Sequence, residues 1–410
     1  MQYFATFAPL ITTATTLFMV TLEEALLTIE NAVKPLPAER VSLPEASGRV
    51  LSEEVVADMD MPPFDKAAVD GFACRYEDIH NTLTVIETVN AGKMPQHRLE
   101  QNQCSRIMTG GVVPAGADCV LMVEDTLAID DFRVRFVKEK TSRNICYRGE
   151  DVKKDTVVLK PGLIIRSQHI AAMAAFGYAH PLVSKKVRVG ILSTGDELVE
   201  PDCQPSASQI RNSNAWQLIA QSNLLPAVTI YGGIIIDDPE STATAIGRMI
   251  SQCDLLIISG GISMGDTDYV PESLLNNGFR FHFRSMAVQP GRPTIFASRS
   301  DGKVCFALPG NPVSSFNQFE LLVKQAIYHF MGHKFQAPEL YIPIAKDYNR
   351  KKSGRLSLVP VAIINNSTVL PVEYHGSAHI QALSGADGLM FIPIGTTHIS
   401  KGDLVRVRLF

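Results

Sequence analysis

The chain has 410 residues, 46% of them hydrophobic and 20% charged, which suits a globular protein of about two to four domains. The net charge is −4 and no basic block is present, which argues against nucleic-acid binding as the main function. Any anionic ligand must therefore be held by a local site, not by a global positive field.

Residues 1–18 are apolar and Thr-rich, with no basic n-region and no convincing cleavage site. They are expected to be a disordered extension and not a signal peptide. Thr21 then caps an amphipathic helix carrying Leu22, Ala25, Leu26, Ile29 and Val33, with Glu24 as its capping-box partner. A short helix or turn follows at Leu43-Pro44-Glu45-Ala46, and a strand at Val55-Val56. Residues 56–148 alternate short strands with turns such as Gly110-Gly111 and Pro114-Ala115-Gly116, the pattern of a β-rich module. Residues 149–185 return to a strand at Val157 and a helix ended by Gly177. Residues 19–55 and 149–185 are expected to form one discontinuous domain into which the module is inserted.

Residues 186–335 alternate strand and helix, which predicts a mostly parallel sheet covered on both faces. From 336 to 410 the strands are short again and predict a small C-terminal β-barrel. The fold expected is thus a multidomain α/β protein. No apolar run is long enough for a membrane span. The seven cysteines form no CxxC pair and several sit in apolar runs, as reduced thiols of a cytoplasmic protein do.

The loops after the α/β strands carry the chemistry. Ser259-Gly260-Gly261-Ile262-Ser263 follows the apolar run Leu255-Leu256-Ile257-Ile258. Two glycines there allow a sharp turn and close approach of main-chain N–H groups to an anion. Asp266 and Asp268 follow, and such carboxylates suit Mg²⁺ held beside phosphate. Ser193-Thr194-Gly195-Asp196-Glu197 ends the first strand, and Asp237-Asp238-Pro239 ends another, with Asp238 partly explained as a helix cap. Leu308-Pro309-Gly310-Asn311-Pro312-Val313-Ser314 places Asn311 as an N-cap before a helix start that can face an anion. Gln289-Pro290-Gly291-Arg292-Pro293 presents Arg292, a fork donor for an oxyanion. In the β-rich part, Asp65 and Asp70 stand in one tight turn, and Arg148 and Asp151 suggest a salt bridge.

Seven motifs in order resemble one family across nearly the whole chain. Besides the four loops Ser193–Leu198, Ser259–Tyr269, Gln289–Pro293 and Leu308–Ser314, they are Pro63-Phe64-Asp65 through Ala73, Arg106-Ile107-Met108-Thr109-Gly110 and Arg148-Gly149-Glu150-Asp151. The chain resembles the MoeA group of molybdopterin molybdenumtransferases, relatives of gephyrin and its plant counterpart. The resemblance implies a three-layer α/β molybdopterin-binding domain. It also implies a Mg²⁺-dependent reaction in which adenylylated molybdopterin and molybdate yield the molybdenum cofactor and AMP. Glu197, Asp237, Asp268, Asp70 and Asp151 are then the catalytic carboxylates, the first three also being metal ligands. Thr109, Ser193, Thr194, Gly195, Gly260, Gly261, Ser263, Pro309, Asn311 and Pro312 bind the pterin nucleotide, and Arg292, Pro293, Ser314, Arg355 and Ser377 surround molybdate. A homodimer is implied whose site joins the α/β domain of one subunit to the β module of the other. Molybdopterin adenylyltransferase and recipient molybdoenzymes are implied partners.

Three positions, in two places, depart from that family. Gln289 and Arg292 stand where many relatives carry lysine, and Cys146 stands where arginine is usual, with Arg143 and Arg148 nearby. Two alternatives are an adenylyltransferase, which shares the α/β module's fold, and a degenerate family member that only scaffolds cofactor assembly or binds another protein. An adenylyltransferase would not need the β module and barrel, and a cofactor-assembly scaffold would not need the acidic positions.

Overall fold

The computed structural model describes residues 19–262, 268–373 and 376–410. Residues 1–18, and Ser263 and Asp266 of the Gly-Gly loop, lie outside the described residues.

A seven-stranded sheet forms the centre, in the order Met19–Val20, Arg280–Met286, Pro293–Ser298, Val304–Leu308, Leu255–Ser259, Val187–Thr194 and Ala227–Ile235. The last four run parallel, as the strand–helix alternation predicts. Pro293–Ser298 runs antiparallel to both neighbours. Only residues 299–303 separate it from the next strand, too short a link for the crossover that parallel strands need. Arg280–Met286 is a strand the sequence reading passes over, although Phe281 and Phe283 alternate with Arg280, His282 and Arg284.

Leu255 and Ile257 enter the core on one sheet face, Leu256 and Ile258 on the other. Side chains alternate along a strand, so a strand covered on both faces must be apolar throughout. Helices Leu22–Ala32 and Ser213–Asn223 cover the first face through Ala25, Ile29, Ala215 and Leu218, and Pro239–Gln252 covers the second through Ile246, Met249 and Ile250. The capping box at Thr21 is present: Glu24 N–H donates to Thr21 Oγ1 at 3.2 Å, and Thr21 N–H donates to Glu24 Oε2 at 2.8 Å.

A six-stranded sheet built from Gly71–Cys74, Thr82–Val89, Gln103–Ile107, Cys119–Met122, Thr126–Asp130 and Arg133–Phe136 makes the β-rich part. Before and after it, Ala38–Arg40 pairs with Leu182–Ser184 and Val55–Val56 pairs with Val157–Leu159. Leu51, Ile165, Met173 and Val183 form a common core beneath these pairs.

At the C-terminus, Leu356–Ile364 pairs with both Thr368–Pro371 and Gly388–Ile392, and Leu404–Leu409 joins Gly388–Ile392 to Glu339–Pro343. A bridge between Ile344 and Val369 brings the strands round into a barrel. Val288–Gln289 adds to the barrel beside Leu356 and Ser357, which ties the Arg292 loop to the segment carrying Arg355.

Candidate active site

The four parallel strands end at one rim, where a ligand of an open α/β sheet is expected. Their loops line a cavity of about 660 Å³ that includes Thr194, Gly195, Glu197, Asp237, Gly260, Gly261, Asp268, Pro309, Asn311 and Pro312. Gly260 has φ +98°, and a Cβ there would lie 2.6 Å from Thr194 O. Gly261 has φ +64°, and a Cβ there would lie 2.7 Å from Thr194 Oγ1. Both conformation and space therefore demand glycine. Thr194 Oγ1 is buried at the cavity wall and has no hydrogen-bond partner among the described residues.

Ser193 sits behind this wall. It is buried, and its hydroxyl donates to Asn212 Oδ1 at 3.1 Å. Asn212 in turn caps helix Ser213–Asn223 by accepting from Ala215 N–H at 3.2 Å. Asn214 Nδ2 donates to Ser259 Oγ at 2.9 Å and to Gly310 O at 2.8 Å, which clamps two loops together. Arg211, Asn212, Ser213 and Asn214 all line the cavity, and sequence reasoning passed over them. The polar run ahead of a helix was the available signal. Asn311 does occupy the N-cap position, but its side chain makes no cap hydrogen bond.

The acidic residues share one side of the cavity. Asp237 N–H donates to Asp196 Oδ1 at 3.0 Å. Burial, and then the negative charges of Asp196, Glu197 and Asp268, push the Asp237 carboxyl above its ordinary range. Asp238 is the helix cap, accepting from Ser241 N–H at 2.7 Å.

A second cavity of about 350 Å³ adjoins the first and shares Pro293, Pro309 and Asn311 with it. It gathers Arg292, Pro293, Ser314, Arg355 and Ser377, together with Gln289. Ser377 O accepts from Val313 N–H at 3.1 Å, so the helix start and the C-terminal segment are joined here. Arg355 Nη1 donates to Val288 O at 3.4 Å, beside the Arg292 loop.

Three predicted residues lie elsewhere. Asp70 and Thr109 meet each other in the β-rich part, and Asp151 N–H donates to Met61 O at 3.1 Å. None of the three lines either cavity. The salt bridge suggested between Arg148 and Asp151 is not formed. Arg148 instead pairs with Asp60 at 2.6 Å, which also accepts from Lys154 N–H. Arg143 pairs with Asp118 and stacks on Tyr76, so neither arginine near Cys146 is uncommitted.

Family models match three successive stretches: the MoeA N-terminal region (domain I and II) at residues 20–177, a probable molybdopterin binding domain at 190–329, and the MoeA C-terminal region (domain IV) at 344–410. The chain belongs to the MoeA family. It is an enzyme of molybdenum cofactor biosynthesis, of the transferase class. Among its relatives are proteins named molybdopterin molybdenumtransferase. The one from Staphylococcus epidermidis RP62A is 32% identical over 401 residues, covering 93% of this chain and 95% of its own. The one from Staphylococcus aureus Mu50 is 32% identical over 398 residues, covering 94% of each. The crystal structure of the molybdopterin biosynthesis MoeA protein from Pyrococcus horikoshii OT3 matches with a TM-score of 0.82 at 29% identity, covering 96% of this chain and 100% of that one. The multidomain α/β fold is therefore that of MoeA.

Proposed function

We propose that this MoeA-family chain inserts molybdenum from molybdate into adenylylated molybdopterin, releasing AMP and forming the molybdenum cofactor. The observation that carries this proposal is the shared wall between the two cavities. Pro293, Pro309 and Asn311 face both the glycine-lined cavity and the pocket holding Arg292 and Arg355. A nucleotide-linked pterin and an oxyanion can thus lie side by side, and proximity of this kind lowers the barrier.

The roles follow from the chemistry of each wall. Gly260 and Gly261 let the backbone approach the phosphates, and the Thr194 hydroxyl supplies a donor. Ser193 positions the wall through Asn212. Arg292, Arg355, Ser314 and Ser377 hold molybdate by charge and hydrogen bonding.

Mg²⁺ fits the acidic side. Asp237 is pushed up first by burial and then by the negative charges of Asp196, Glu197 and Asp268, and a cation would relieve that repulsion. No group of three or more His, Cys, Asp or Glu side chains among the described residues forms a metal cage. One or two of Glu197, Asp237 and Asp268 would hold the ion together with substrate phosphate and water, the usual manner for Mg²⁺. Bound there, it would neutralise charge developing on the phosphoanhydride. The carboxylate of Asp268 would also orient the attacking water. Cleavage breaks a phosphorus–oxygen bond, and AMP leaves. The two dithiolene thiols bind molybdenum and give their protons to one oxo group, which departs as water.

Asp70, Thr109 and Asp151, which line neither cavity of their own chain, would complete the site from a second subunit of a homodimer, as the family resemblance implies. No described helix is long and apolar enough to cross a membrane. A cytoplasmic enzyme receiving its substrate from molybdopterin adenylyltransferase and passing cofactor to molybdoenzymes fits these features. The test is AMP release from adenylylated molybdopterin that requires both Mg²⁺ and molybdate. Release that is indifferent to molybdate would reject the proposal.

A further inference from the structure

The helical run from Pro312 to Phe330 is not uniform. Residues Pro312–Gln318 and Lys324–Phe330 are α-helical, and Phe319–Val323 between them is π-helical. Such π segments mark places where a helix departs from its regular pattern, often near functional sites. Gln318 ends the first part and is fully buried. It stands one turn after Ser314, on the same helix face.

Gln318 reaches across to a loop 27 residues earlier. Its Nε2 donates to Gly291 O at 2.9 Å. Thr294 Oγ1 donates to the same carbonyl at 2.9 Å. The fit is close: a Cβ at Gly291, which has φ +108°, would lie 2.2 Å from Gln318 Nε2. Arg292 follows directly and is held on its other side, where its carbonyl accepts from Met286 N–H at 2.8 Å. The backbone of the Arg292 loop is therefore pinned on one side by the sheet and on the other by the helix that carries Ser314.

We infer that Gln318 is a positioning residue for oxyanion binding: its amide sets the separation between Arg292 and Ser314 across the smaller cavity. This rests on the assignment of that cavity to molybdate. Gln318 does not line the cavity, so it acts through the loop and not by touching the anion. Its Oε1 is buried and has no hydrogen-bond partner among the described residues, so the amide donor to Gly291 O is what holds the side chain there. A carboxylate in its place cannot donate and would face Gly291 O with a negative charge. Burial raises the pKa of a carboxyl group, and the protonated form regains a donor.

The experiment is calorimetric titration of molybdate into the full-length parent, Gln318→Met, Gln318→Glu and Arg292→Gln. Adenylylated pterin affinity and Tm are measured alongside. Gln318→Met removes the donor and keeps the volume. Both Gln318 variants should weaken molybdate about tenfold near pH 8, with pterin affinity retained. Gln318→Glu alone should recover as the pH falls towards about 6, when its carboxyl protonates. A merely structural role would lower Tm and pterin affinity together and show no such recovery, which would overturn the inference. So would parental molybdate affinity in Gln318→Met while Arg292→Gln is weakened, and in that case the molybdate pocket would stand. Parental affinity in Arg292→Gln would instead overturn the pocket, and this inference with it.

Discussion

The Asp70 carboxylate accepts two hydrogen bonds from Thr109, one from its N–H and one from its hydroxyl, each at 2.6 Å. The hydroxyl first and then the N–H hold the Asp70 carboxyl below its ordinary range, so it is charged at neutral pH. A charge fixed in this way, on a residue that lines neither cavity of its own chain, is suited to face another subunit. Mixing Asp70→Ala with Asp268→Ala, each inactive alone, should restore turnover through hybrid dimers. Random exchange leaves about a quarter of the composite sites intact. Demonstrated subunit exchange with no regained activity would count against a shared site.

Arg292→Gln should raise the molybdate concentration needed for cofactor formation roughly tenfold or more. A charge-assisted hydrogen bond contributes about 1.5–3 kcal/mol. Gln289 lines the same pocket, so Gln289→Lys should tighten molybdate by adding a second cation. Titration of molybdate, tungstate and sulfate into both variants is the check. Unaltered affinity in both would make Gln289 to Pro293 only a turn.

Much of the cavity was legible because buried parallel strands are unbroken apolar runs, and the residues just after them must form the sheet's ligand-facing rim. The run Leu255 to Ile258 locates Gly260 and Gly261 in this way. Arg280–Met286 was legible in principle from its alternating phenylalanines. The clamps were not. Asn214 meets Gly310 across 96 residues, and Gln318 meets Gly291 across 27. Such contacts are made by packing and leave no local period. Arg148 shows the opposite failure. Closeness in sequence suggested Asp151, whereas the fold supplies Asp60, whose orientation is fixed by Lys154 N–H.

Glu339 accepts from Arg406 Nε at 2.8 Å, Arg406 Nη2 at 2.7 Å and Arg408 Nη2 at 3.0 Å, and joins barrel strand Glu339–Pro343 to Leu404–Leu409. The Arg406 hydrogen bonds lead in holding its carboxyl below the usual range. A depressed carboxyl contributes stability above its unfolded value and loses it as the pH falls through its folded value. Glu339→Gln should therefore cost on the order of 1 kcal/mol at neutral pH, a figure discounted for partial exposure. The gap from the parent should close in acid. Denaturant unfolding at neutral and acidic pH checks the sign. A gap that widens in acid would contradict it.

Cys74 pairs across strands with both Cys104 and Cys119, and all three are buried. Burial pushes the Cys104 thiol up to about 12 and the Cys253 thiol up to about 11, and raises Cys305 well above its ordinary value. The thiolate is the reactive form, so these should resist alkylation in the folded protein. Cys203 is exposed and should react first with iodoacetamide, followed by the partly exposed Cys146. Mass mapping before and after denaturation decides. Early modification of Cys104 or Cys305 would show that the strands open readily.

The most direct test incubates purified protein with adenylylated molybdopterin, Mg²⁺ and molybdate, and assays AMP and active cofactor together. The parent should release one AMP for each cofactor formed. Asp268→Asn keeps the shape at the cavity wall but loses the charge, and should lower both rates by about 10²–10³ while pterin affinity is retained. Parental AMP release by Asp268→Asn, or AMP formed without cofactor, would contradict molybdenum insertion at this cavity.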